Sequence, residues 1–396
     1  GYFECSAKIP NKNGVSLAWW MSCLDGWPPE IDIFEIPGGI GRDSSGKMTN
    51  DHVTVHYLDP AKQYSNGTRG GIYKSPVDLS ADYHTFGLLW QPGLLAWYVD
   101  GVCIHVQKYG VPNRDMYVQL QFAAKDNDAG WNGNASGTPM PQYAYIRWVR
   151  IWKMIGTQGT VAVKSLANSK LVTAADAATP LIANFTGTAG AAQLFDAYDA
   201  GGGGQIALLA HTTALFVTAG NNGADSLLAN GASIAATQTF QVESLNFDRV
   251  AFQSPANSLY VQAANAGATA LKAAAATAST SATSLEGFIF QNQLTPVVGQ
   301  AYSSPDIVRI SVTGKKTLKT KKGVVTVRGK ATAASGGISK VTYQLNGKGA
   351  KKKAKGTLSW KTKIKVPKKG VTKWMFTSYD LSGIPSAPLT IKIIRQ

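Results

Sequence analysis

The sequence is poor in several features that mark common classes of protein. Its 396 residues include only three cysteines and five histidines. Three cysteines do not make a disulfide framework, and they lack the close spacing of a zinc site. No apolar run reaches the length of about 20 residues that crosses a bilayer, so we expect no membrane span. Long helical patterns are scarce, which together with 41 glycines favours an all-β fold.

The few cysteines and histidines also limit metal and redox chemistry. Cys5, Cys23 and Cys103 cannot all pair within one chain. We expect them to pack as small apolar groups, although one oxidised pair remains open in a secreted protein. His52 and His56 lie four residues apart in a β-branched stretch, which places them on one face of a strand. No third ligand lies nearby in the sequence, so we predict no metal and no other cofactor.

Acidic residues are almost absent from the last quarter of the chain. Residues 304–396 contain 22 Lys and Arg but only two Asp, whereas the remainder contains 17 basic and 21 acidic residues. The formal net charge of +16 therefore comes from this terminal segment alone. Any effect of positive charge on binding is expected there and not in the rest of the protein.

Composition divides the chain into three regions, and we predict a domain for each. Residues 1–155 contain alternating stretches such as FGLLW and YVQLQF, which are typical of strands. Residues 159–298 contain a repeat, in which VAVKSLANSKLVTAA begins at 161, IALLAHTTALFVTAG at 206 and VAFQSPANSLYVQAA at 250. Three such copies favour a closed threefold β architecture over an open solenoid. Residues 304–396 indicate short strands between Gly and Asn turns, as in a small β-sandwich.

The lysines of residues 304–396 allow three interpretations. They occupy mostly alternate positions or turns such as GKGAKKKAKG, which suits a solvated face that protects edge strands. They also suit a cationic surface for an anionic polysaccharide or a cell wall, whose binding would weaken with salt. Nucleic acid is the least favoured partner, because no helix-turn-helix or zinc-finger signal is present and aromatic residues do not interleave with the basic run.

The stretch WPPEIDIFEI, residues 27–36, places three carboxylates in an otherwise apolar run. Glu30 and Asp32 share a face because residues i and i+2 of a strand point the same way, but Glu35 has the opposite parity. One bulged residue between Asp32 and Glu35 would return Glu35 to their face. The two glutamate backbones would then lie about 13 Å apart. Their side chains could approach to a carboxyl separation of about 5 Å, as in retaining glycoside hydrolysis.

Three neighbouring carboxylates also predict unequal pKa values. They cannot all ionise at low cost, so one pKa should rise while another stays low. Asp32, between the two glutamates, is placed to hydrogen-bond the nucleophile and to influence which group keeps its proton. The alternative is a surface strand with acidic residues on its exposed face, and the motif alone does not exclude it.

Residues 1–153 resemble glycoside hydrolase family 16 through motifs that occur in the order of that family. These motifs are GYFECSAKIPNKNGVSLAWWMSCLDGWPPEIDIFEI at the start, VHY at 55, DYHTFGLLWQPGLLAWYVDG at 82, MYVQLQFAA at 116, GWNGNA at 130 and YIRWVRIWK at 145. The resemblance implies a concanavalin A-like β-jelly roll with an open cleft for linear polysaccharides. It implies Glu30 as nucleophile, Glu35 as acid/base and Asp32 as auxiliary acid. Two residues between Asp32 and Glu35 are the form shared by laminarinases, agarases and carrageenases.

Five further residues are candidates for substrate binding. Sugar faces stack on aromatic rings, so Trp20, Trp27 and Trp131 are the candidate platforms. The resemblance implies that His56, in VHY, is the cleft histidine of the family. Gln121 stands where relatives often carry Asn.

The sequence also departs from the family pattern. The family domain normally opens with several strands before GYFE, so one edge of the jelly roll is expected to be missing or supplied otherwise. Arg147 occupies the place of an Asp that often binds a structural calcium, so no calcium is predicted. The repeat region resembles fascin-like or ricin-type β-trefoils, and the last region resembles immunoglobulin-like sandwiches.

These features predict a secreted, retaining endo-glycosidase that hydrolyses internal β-linkages of a polysaccharide, foremost β-1,3-glucan of laminarin type. The alternatives are an agarase or carrageenase, a mixed-linkage glucanase, a transglycosylase, or a polysaccharide-binding protein with an inactive truncated catalytic domain. The sequence begins at Gly1 in a strand-like pattern without a signal peptide, which we interpret as processing or truncation. We expect a monomer.

Overall fold

The computed structural model describes residues 1–59, 65–125, 130–154, 156–245, 247–299, 309–321, 323–332, 338–346, 351–366, 369–380 and 389–395. The chain forms two compact units, 1–302 and 303–396. The first unit contains two separate apolar cores, one in each of the first two regions distinguished by composition. The division into three domains at the predicted bounds stays a prediction. Within the described residues, no helix has both the length and the apolar character needed to cross a membrane.

The N-terminal region consists of ten strands among its described residues. They are β1 (Tyr2–Lys8), β2 (Val15–Cys23), β3 (Gly26–Pro37), β4 (Asn50–Asp59), β5 (Ser65–Lys74), β6 (His84–Gln91), β7 (Leu94–Val99), β8 (Val102–Gln107), β9 (Tyr117–Ala124) and β10 (Tyr145–Trp152). Two antiparallel five-stranded sheets result, with the orders β10-β1-β6-β7-β8 and β5-β4-β3-β2-β9. Their inner faces share one apolar core that includes Trp19, Phe34, Phe86 and Trp97. The fold is all-β, as predicted, and this region is a β-jelly roll.

The jelly roll is open along the side where β9 and β10 lie. Each is the outermost strand of its sheet. The register places Leu120, Phe122, Val149 and Ile151 on the core side of these strands. Each of these side chains is nevertheless more than a third exposed. The inner apolar surface of the described sandwich is therefore in contact with solvent along this side.

The repeat region follows directly on the jelly roll. Its strands are β11 (Thr157–Ser165), β12 (Leu171–Thr173), β13 (Ile182–Phe185), β14 (Leu194–Gly202), β15 (Gln205–Ala210), β16 (Leu215–Thr218), β17 (Leu228–Gly231), β18 (Phe240–Ser244), β19 (Arg249–Ser254), β20 (Leu259–Gln262), β21 (Lys272–Ala275) and β22 (Phe288–Asn292). Short 3-10 turns lie at Ala191–Gln193, Asn221–Gly223 and Ala236–Gln238. Pairing of β22 with both β11 and β19 brings the end of the region back to its beginning.

Equivalent residues of the three repeats meet around a common centre. The backbone N–H of Leu181 donates to the carbonyl of Leu227, Leu227 donates to Leu271, and Leu271 donates back to Leu181, at 2.8–2.9 Å. Further matched sets fill the same core, among them Val172, Val217 and Val261, and Phe195, Phe240 and Phe288. The period read from the sequence therefore corresponds to a threefold arrangement, in which each repeat supplies one third of a shared core.

The repeat region packs on the jelly roll within the first unit. The Phe247 ring lies 5.0 Å from the Tyr57 ring and 4.4 Å from the Tyr109 ring, measured between centroids. The Asn292 side chain donates a hydrogen bond to the carbonyl of Pro92 at 2.9 Å. Aromatic and polar contacts thus join the two cores into one compact unit.

The second unit is a two-layer β structure. Its strands are β23 (Arg309–Val312), β24 (Thr317–Thr320), β25 (Val324–Thr332), β26 (Ile338–Leu345), β27 (Lys352–Lys353), β28 (Ser359–Lys365), β29 (Gly370–Asp380) and β30 (Leu389–Arg395). They form one sheet of order β23-β25-β28 and another of order β24-β30-β29-β26-β27. Both sheets contribute to one apolar core, which includes Trp360, Phe376 and Ile391.

All three cysteines are buried and free. Burial raises the pKa of the Cys5 thiol to about 12, and burial likewise raises the pKa of Cys23 and of Cys103. Thiols with raised pKa values are poor nucleophiles, because the thiolate is the reactive form. The structure thus places the cysteines as packing residues, as the sequence indicated.

Candidate active site

Strand β3 carries Glu30, Asp32 and Glu35 on the outer face of its sheet. Asp32 lies opposite Thr54 of β4 and Glu35 lies opposite His52, so three steps on β3 match two steps on β4. A register shift also separates β3 from β2 at this point. The additional residue is the bulge that the Asp-to-Glu spacing predicts.

The bulge also explains why the strand remains well packed. Ile33 and Phe34 are consecutive, yet both are buried in the core between the sheets. In a regular strand one of them would face solvent. Because two successive side chains point into the core, the alternation of faces is reversed for the residues that follow. Glu35 therefore lies on the same face as Glu30 and Asp32. We call this side of the β5-β4-β3-β2-β9 sheet the acidic face.

Neighbouring strands place polar side chains around each acid. Read from β4 through β3 to β2, the rows across the sheet are His56–Glu30–Ser22, Thr54–Asp32–Trp20 and His52–Glu35–Ala18. Strand β9 extends these rows with Tyr117, Gln119 and Gln121. Each acid therefore occupies a different row, with one histidine beside each glutamate.

His56 and Trp27 surround the Glu30 carboxylate. His56 Nε2 lies 3.6 Å from Glu30 Oε1 and 3.5 Å from Asp32 Oδ2. The Nδ1 atom of the same ring is 3.0 Å from Thr68 Oγ1, which orients the imidazole. Trp27 Nε1 donates a hydrogen bond to Glu30 Oε2 at 3.1 Å. Glu30 thus has a donor or a potential cation beside each of its two oxygens.

The opposite sheet holds Asp32 in place through its backbone. Trp97 is fully buried, and its Nε1 donates to the carbonyl of Asp32 at 2.8 Å. This bond crosses the core directly behind the three acids. A buried hydrogen bond of this kind limits movement of the strand at the bulge, since breaking it would leave two polar atoms unsatisfied.

Burial and charge raise the pKa of Glu35 to about 8. Burial is the largest cause, followed by the negative charges of Asp32, Glu30 and Asp51. A carboxyl with this pKa keeps its proton at neutral pH, which is the state required of a general acid.

Burial also raises the pKa of Glu30, and the charge of Asp32 adds to the effect, but His56 and the Trp27 hydrogen bond act in the opposite direction. Burial raises the pKa of Asp32, which His56 partly offsets. The hydrogen bond to Asp32 is the main cause of the raised pKa of His56. The pKa values of all three acids are therefore raised, and the expectation that one of them stays low was wrong. The two glutamates still differ, because Glu30 has partners that favour its ionised form.

The substrate-binding candidates lie on or beside the acidic face. Trp20 is half-buried on β2, and Gln121 is exposed on β9 at the end of the Glu35 row. Trp27 is half exposed at the start of β3, with its ring centroid 5.5 Å from that of His56. Trp131 lies in the loop after residue 129 and is about a third exposed. Their roles in binding stay predictions.

His52 belongs to the site, although its sequence position indicated only a possible metal ligand. It lies opposite Glu35, and its ring packs edge-on against Trp131 with centroids 4.7 Å apart. Within the described part of the chain, the buried His52 Nε2 and Trp20 Nε1 atoms have no hydrogen-bond partner. Buried polar atoms are normally paired, so these two are exceptions within the site. In the sequence, the only sign that His52 belongs to the site was its spacing of four residues from His56.

Glu30, Asp32 and His56 also form a grouping whose donor atoms lie within 4.8 Å of one another, in the described residues. This grouping joins His56 to two acids of β3 and does not include His52, so it is not the histidine pair considered in the sequence. The His56 ring already contacts both carboxylates, at 3.6 Å from Glu30 and 3.5 Å from Asp32. We assign no metal to them.

Comparison with known proteins finds a family model that matches the N-terminal region. Residues 1–150 match the family model of Glycosyl hydrolases family 16. An endo-1,3-1,4-beta-glycanase of Rhizobium meliloti strain 1021, ExsH, is 36% identical over 142 residues, which cover 35% of this chain and 26% of the relative. A glucan endo-1,3-beta-glucosidase of Cryptopygus antarcticus is 35% identical over 155 residues, which cover 37% of this chain and 48% of the relative. A beta-glucanase of Paenibacillus polymyxa is 33% identical over 152 residues, which cover 38% of this chain and 58% of the relative.

These matches confirm the resemblance for the N-terminal 150 residues. The match to the family model ends at residue 150, before the repeat region and the lysine-rich unit. The chain spans between about a quarter and somewhat over half of the length of these relatives.

Proposed function

We propose that this protein is a retaining endo-glycosidase that hydrolyses internal β-linkages of a polysaccharide, with β-1,3-glucan of laminarin type as its substrate. The observation that carries the proposal is the unequal environment of two glutamates on one bulged strand. Glu30 has His56 and Trp27 beside its carboxylate, whereas burial and three neighbouring carboxyls keep Glu35 protonated at neutral pH. This is the division of roles that a double displacement requires.

In the first step, Glu30 attacks the anomeric carbon while Glu35 gives its proton to the oxygen of the departing sugar. The bond between carbon and that oxygen breaks, and a glycosyl ester on Glu30 remains. In the second step, Glu35 is ionised and takes a proton from water as the water oxygen displaces Glu30. Asp32 lies between the two glutamates, and its contact with His56 keeps the imidazole beside Glu30.

The β-1,3-glucan assignment rests on the bulged motif and on the name of one relative. The form with two residues between Asp32 and Glu35 resembles laminarinases, and the Cryptopygus relative is named a glucan endo-1,3-beta-glucosidase. ExsH is named an endo-1,3-1,4-beta-glycanase, which keeps mixed-linkage glucan as an alternative. The remaining alternatives are agar, carrageenan and transfer to a sugar acceptor.

The test is to incubate the protein with laminarin, lichenan, agarose and carrageenan and to measure new reducing ends. We expect the highest rate on laminarin, and we expect short oligosaccharides to be the early products. A higher rate on any other polymer would reassign the substrate. Binding without new reducing ends on all four would favour the alternative of an inactive binding protein.

The activity should depend on pH in a bell-shaped manner. Glu35 must be protonated and its pKa is about 8, so we expect kcat/KM to fall as pH rises through about 8. Glu30 must be ionised, and its raised pKa places the acidic limb above the usual range of a glutamate. Initial rates on laminarin from about pH 4 to pH 10 measure both limbs. A constant rate from about pH 7 to pH 10 would contradict the assignment of Glu35.

Replacing Trp27 by Phe should separate stacking from hydrogen bonding. The Trp27→Phe variant keeps an aromatic ring but loses the Nε1–H donor to Glu30. Because bonds to charged groups contribute about 1.5–3 kcal/mol, we expect kcat to fall about 10- to 100-fold and the acidic limb to move to higher pH. The Trp27→Ala variant loses both contacts, so its KM should rise as well. An acidic limb that stays in place in Trp27→Phe would show that the bond does not tune Glu30.

The other regions complete the proposal. We assign the threefold region to the β-trefoil class and the lysine-rich unit to the immunoglobulin-like class. The threefold region resembles β-trefoils that are often attached to carbohydrate-active enzymes, which supports a secreted protein. Binding of sugar by the threefold region and a monomeric state are further proposals, which pull-down on insoluble glucan and sedimentation can test.

A further inference from the structure

One face of the three-stranded sheet in the second unit is covered with cationic side chains. Three buried residues of β28 alternate with three exposed lysines, Lys361, Lys363 and Lys365. Arg328 and Lys330 of β25 are likewise exposed, on alternate positions. The register pairs Arg328 directly with Lys361, so both sets lie on the same side of the sheet.

Lys355 extends this surface beyond β28. It forms an isolated bridge with Lys361, and it is exposed. The row Arg328–Lys361–Lys355 therefore crosses the sheet with three cations in succession. We call the surface formed by Arg328, Lys330, Lys355, Lys361, Lys363 and Lys365 the cationic face.

Protection of sheet edges does not explain this arrangement. Lysines on outermost strands prevent pairing with another chain, and β28 could use them in that way. Strand β25, however, is the central strand of its sheet, with β23 on one side and β28 on the other. Arg328 and Lys330 are therefore in the middle of the face, where no free edge needs protection.

The arrangement is also electrostatically unfavourable without a partner. Like charges directly opposite on neighbouring strands destabilise a sheet, and Arg328 and Lys361 are such a pair. Residues 304–396 contain only two acids, Asp306 and Asp380. Asp380 pairs with Ile338 in the other sheet, and Asp306 lies outside the described residues. An external anion would relieve the repulsion between Arg328 and Lys361.

The spacing of the charges favours a linear polymer. Lys361, Lys363 and Lys365 follow one strand at intervals of about 6.6–6.8 Å. The row of cations around Arg328 lies across them, at a strand separation of about 4.8 Å. A regular, extended array of this kind can neutralise several charges of one chain at once, whereas a small anion would contact only one or two cations.

The chemistry of the face distinguishes a polysaccharide from a nucleic acid. Proteins that hold single-stranded nucleic acid usually stack its bases on aromatic side chains. None of the six residues of the cationic face is aromatic, and Trp360, which lies among them in sequence, is 2% exposed and belongs to the core. A sheet face also lacks a helix or a projecting ribbon that could enter the major groove of a duplex.

We propose that the cationic face binds a linear polysaccharide that carries carboxylate or sulfate groups. This binding is distinct from the proposed hydrolysis at the acidic face, and it does not require that hydrolysis. The face would hold the protein on an anionic matrix, and salt would release it by screening the contacts.

The experiment measures binding of the full chain to defined polymers by isothermal titration calorimetry. Polygalacturonate tests carboxylates, dextran sulfate tests sulfates, dextran is the neutral reference, and single-stranded and duplex DNA test nucleic acid. We expect binding to one or both anionic polysaccharides at about 50 mM salt, and a loss of at least about 10-fold in affinity at about 200 mM salt. Binding to dextran of equal strength, or tighter binding to either DNA, would overturn the proposal.

Two variants with the same change in charge locate the contact. The face variant combines Arg328→Gln, Lys361→Gln and Lys363→Gln, and the control variant combines Lys315→Gln, Lys316→Gln and Lys373→Gln, which are exposed elsewhere in the unit. We expect the face variant to lose at least about 10-fold in affinity and to show a shallower salt dependence, by about two to three in the slope of log K against log salt. Equal losses in both variants would overturn the assignment to this face, because net charge would then explain binding. Near-ultraviolet circular dichroism of both variants checks that the fold is retained.

Discussion

Replacing Glu30 by Gln is expected to lower the rate of laminarin hydrolysis by at least about 10⁴-fold, because the amide cannot form the glycosyl ester. The same loss should occur with an aryl β-glycoside that carries an acidic phenol, since a good leaving group does not replace a nucleophile. KM should change little, because the amide keeps the size of the carboxylate and still accepts the Trp27 hydrogen bond. Reducing-end release and phenol release measure the two substrates.

A matched variant controls for general effects on the fold. Glu4 lies on β1 in the opposite sheet, so the Glu4→Gln variant makes the same chemical change in the same region but away from the acidic face. We expect it to keep hydrolysis within about threefold of the parent. Residual hydrolysis in Glu30→Gln above about 1% of the parent would refute the role of Glu30 as nucleophile.

Replacing Glu35 by Gln should have a different signature. We expect loss of about 10²- to 10⁴-fold on laminarin, where the departing sugar needs a proton. With a dinitrophenyl glycoside the first step needs no acid, so a burst of phenol should precede slow turnover. The alkaline limb near pH 8 should also disappear, because Glu35 is its source. Equal loss on both substrates, without a burst, would contradict the role of general acid.

The same substitution should raise stability at alkaline pH. The folded protein keeps the Glu35 proton up to about pH 8, whereas an unfolded glutamate loses it near pH 4.3. Stability contributed by this group is therefore present at low pH and is lost as pH rises through that window. Glu35→Gln removes the dependence, so its gain in Tm over the parent should be larger at about pH 8.5 than at about pH 4.5. A gain that is the same at both values would show that the proton of Glu35 is not linked to folding.

Most of the fold prediction came from two sequence periods. One is the two-residue alternation of buried and exposed side chains in strands, and the other is the repeat of about 45 residues. Alternation identified the strands of the jelly roll, because one buried and one exposed face impose a period of two. The matched Leu181, Leu227 and Leu271 of the repeats occupy equivalent places around one centre. The order of strands within the sheets was not predictable in the same way, since pairing partners such as β1 and β6 are far apart in the sequence.

The candidate site was predictable in part. The spacing of Glu30, Asp32 and Glu35 implied a bulge, and the register shift on β3 is located there. His52 was not selected, because its position opposite Glu35 depends on how β4 pairs with β3. The contact of His52 with Trp131 likewise joins residues almost eighty positions apart. The cationic face could not be predicted for the same reason. The sequence shows many lysines, but the position of Arg328 opposite Lys361 depends on how β25 pairs with β28.

The sequence by itself determined the all-β class, the threefold period, the location of the positive charge and the three acids with their bulge. Each of these features follows from local spacing or from composition, and none of them requires knowledge of distant contacts. The family resemblance implied Glu35 as the acid, but only the tertiary structure gives the physical reason why Glu35 keeps its proton. The difference between the two glutamates comes from the burial of Glu35 and from Trp27 and His56 beside Glu30. Burial and charge act through space, and the chain brings these groups together only when its strands pair.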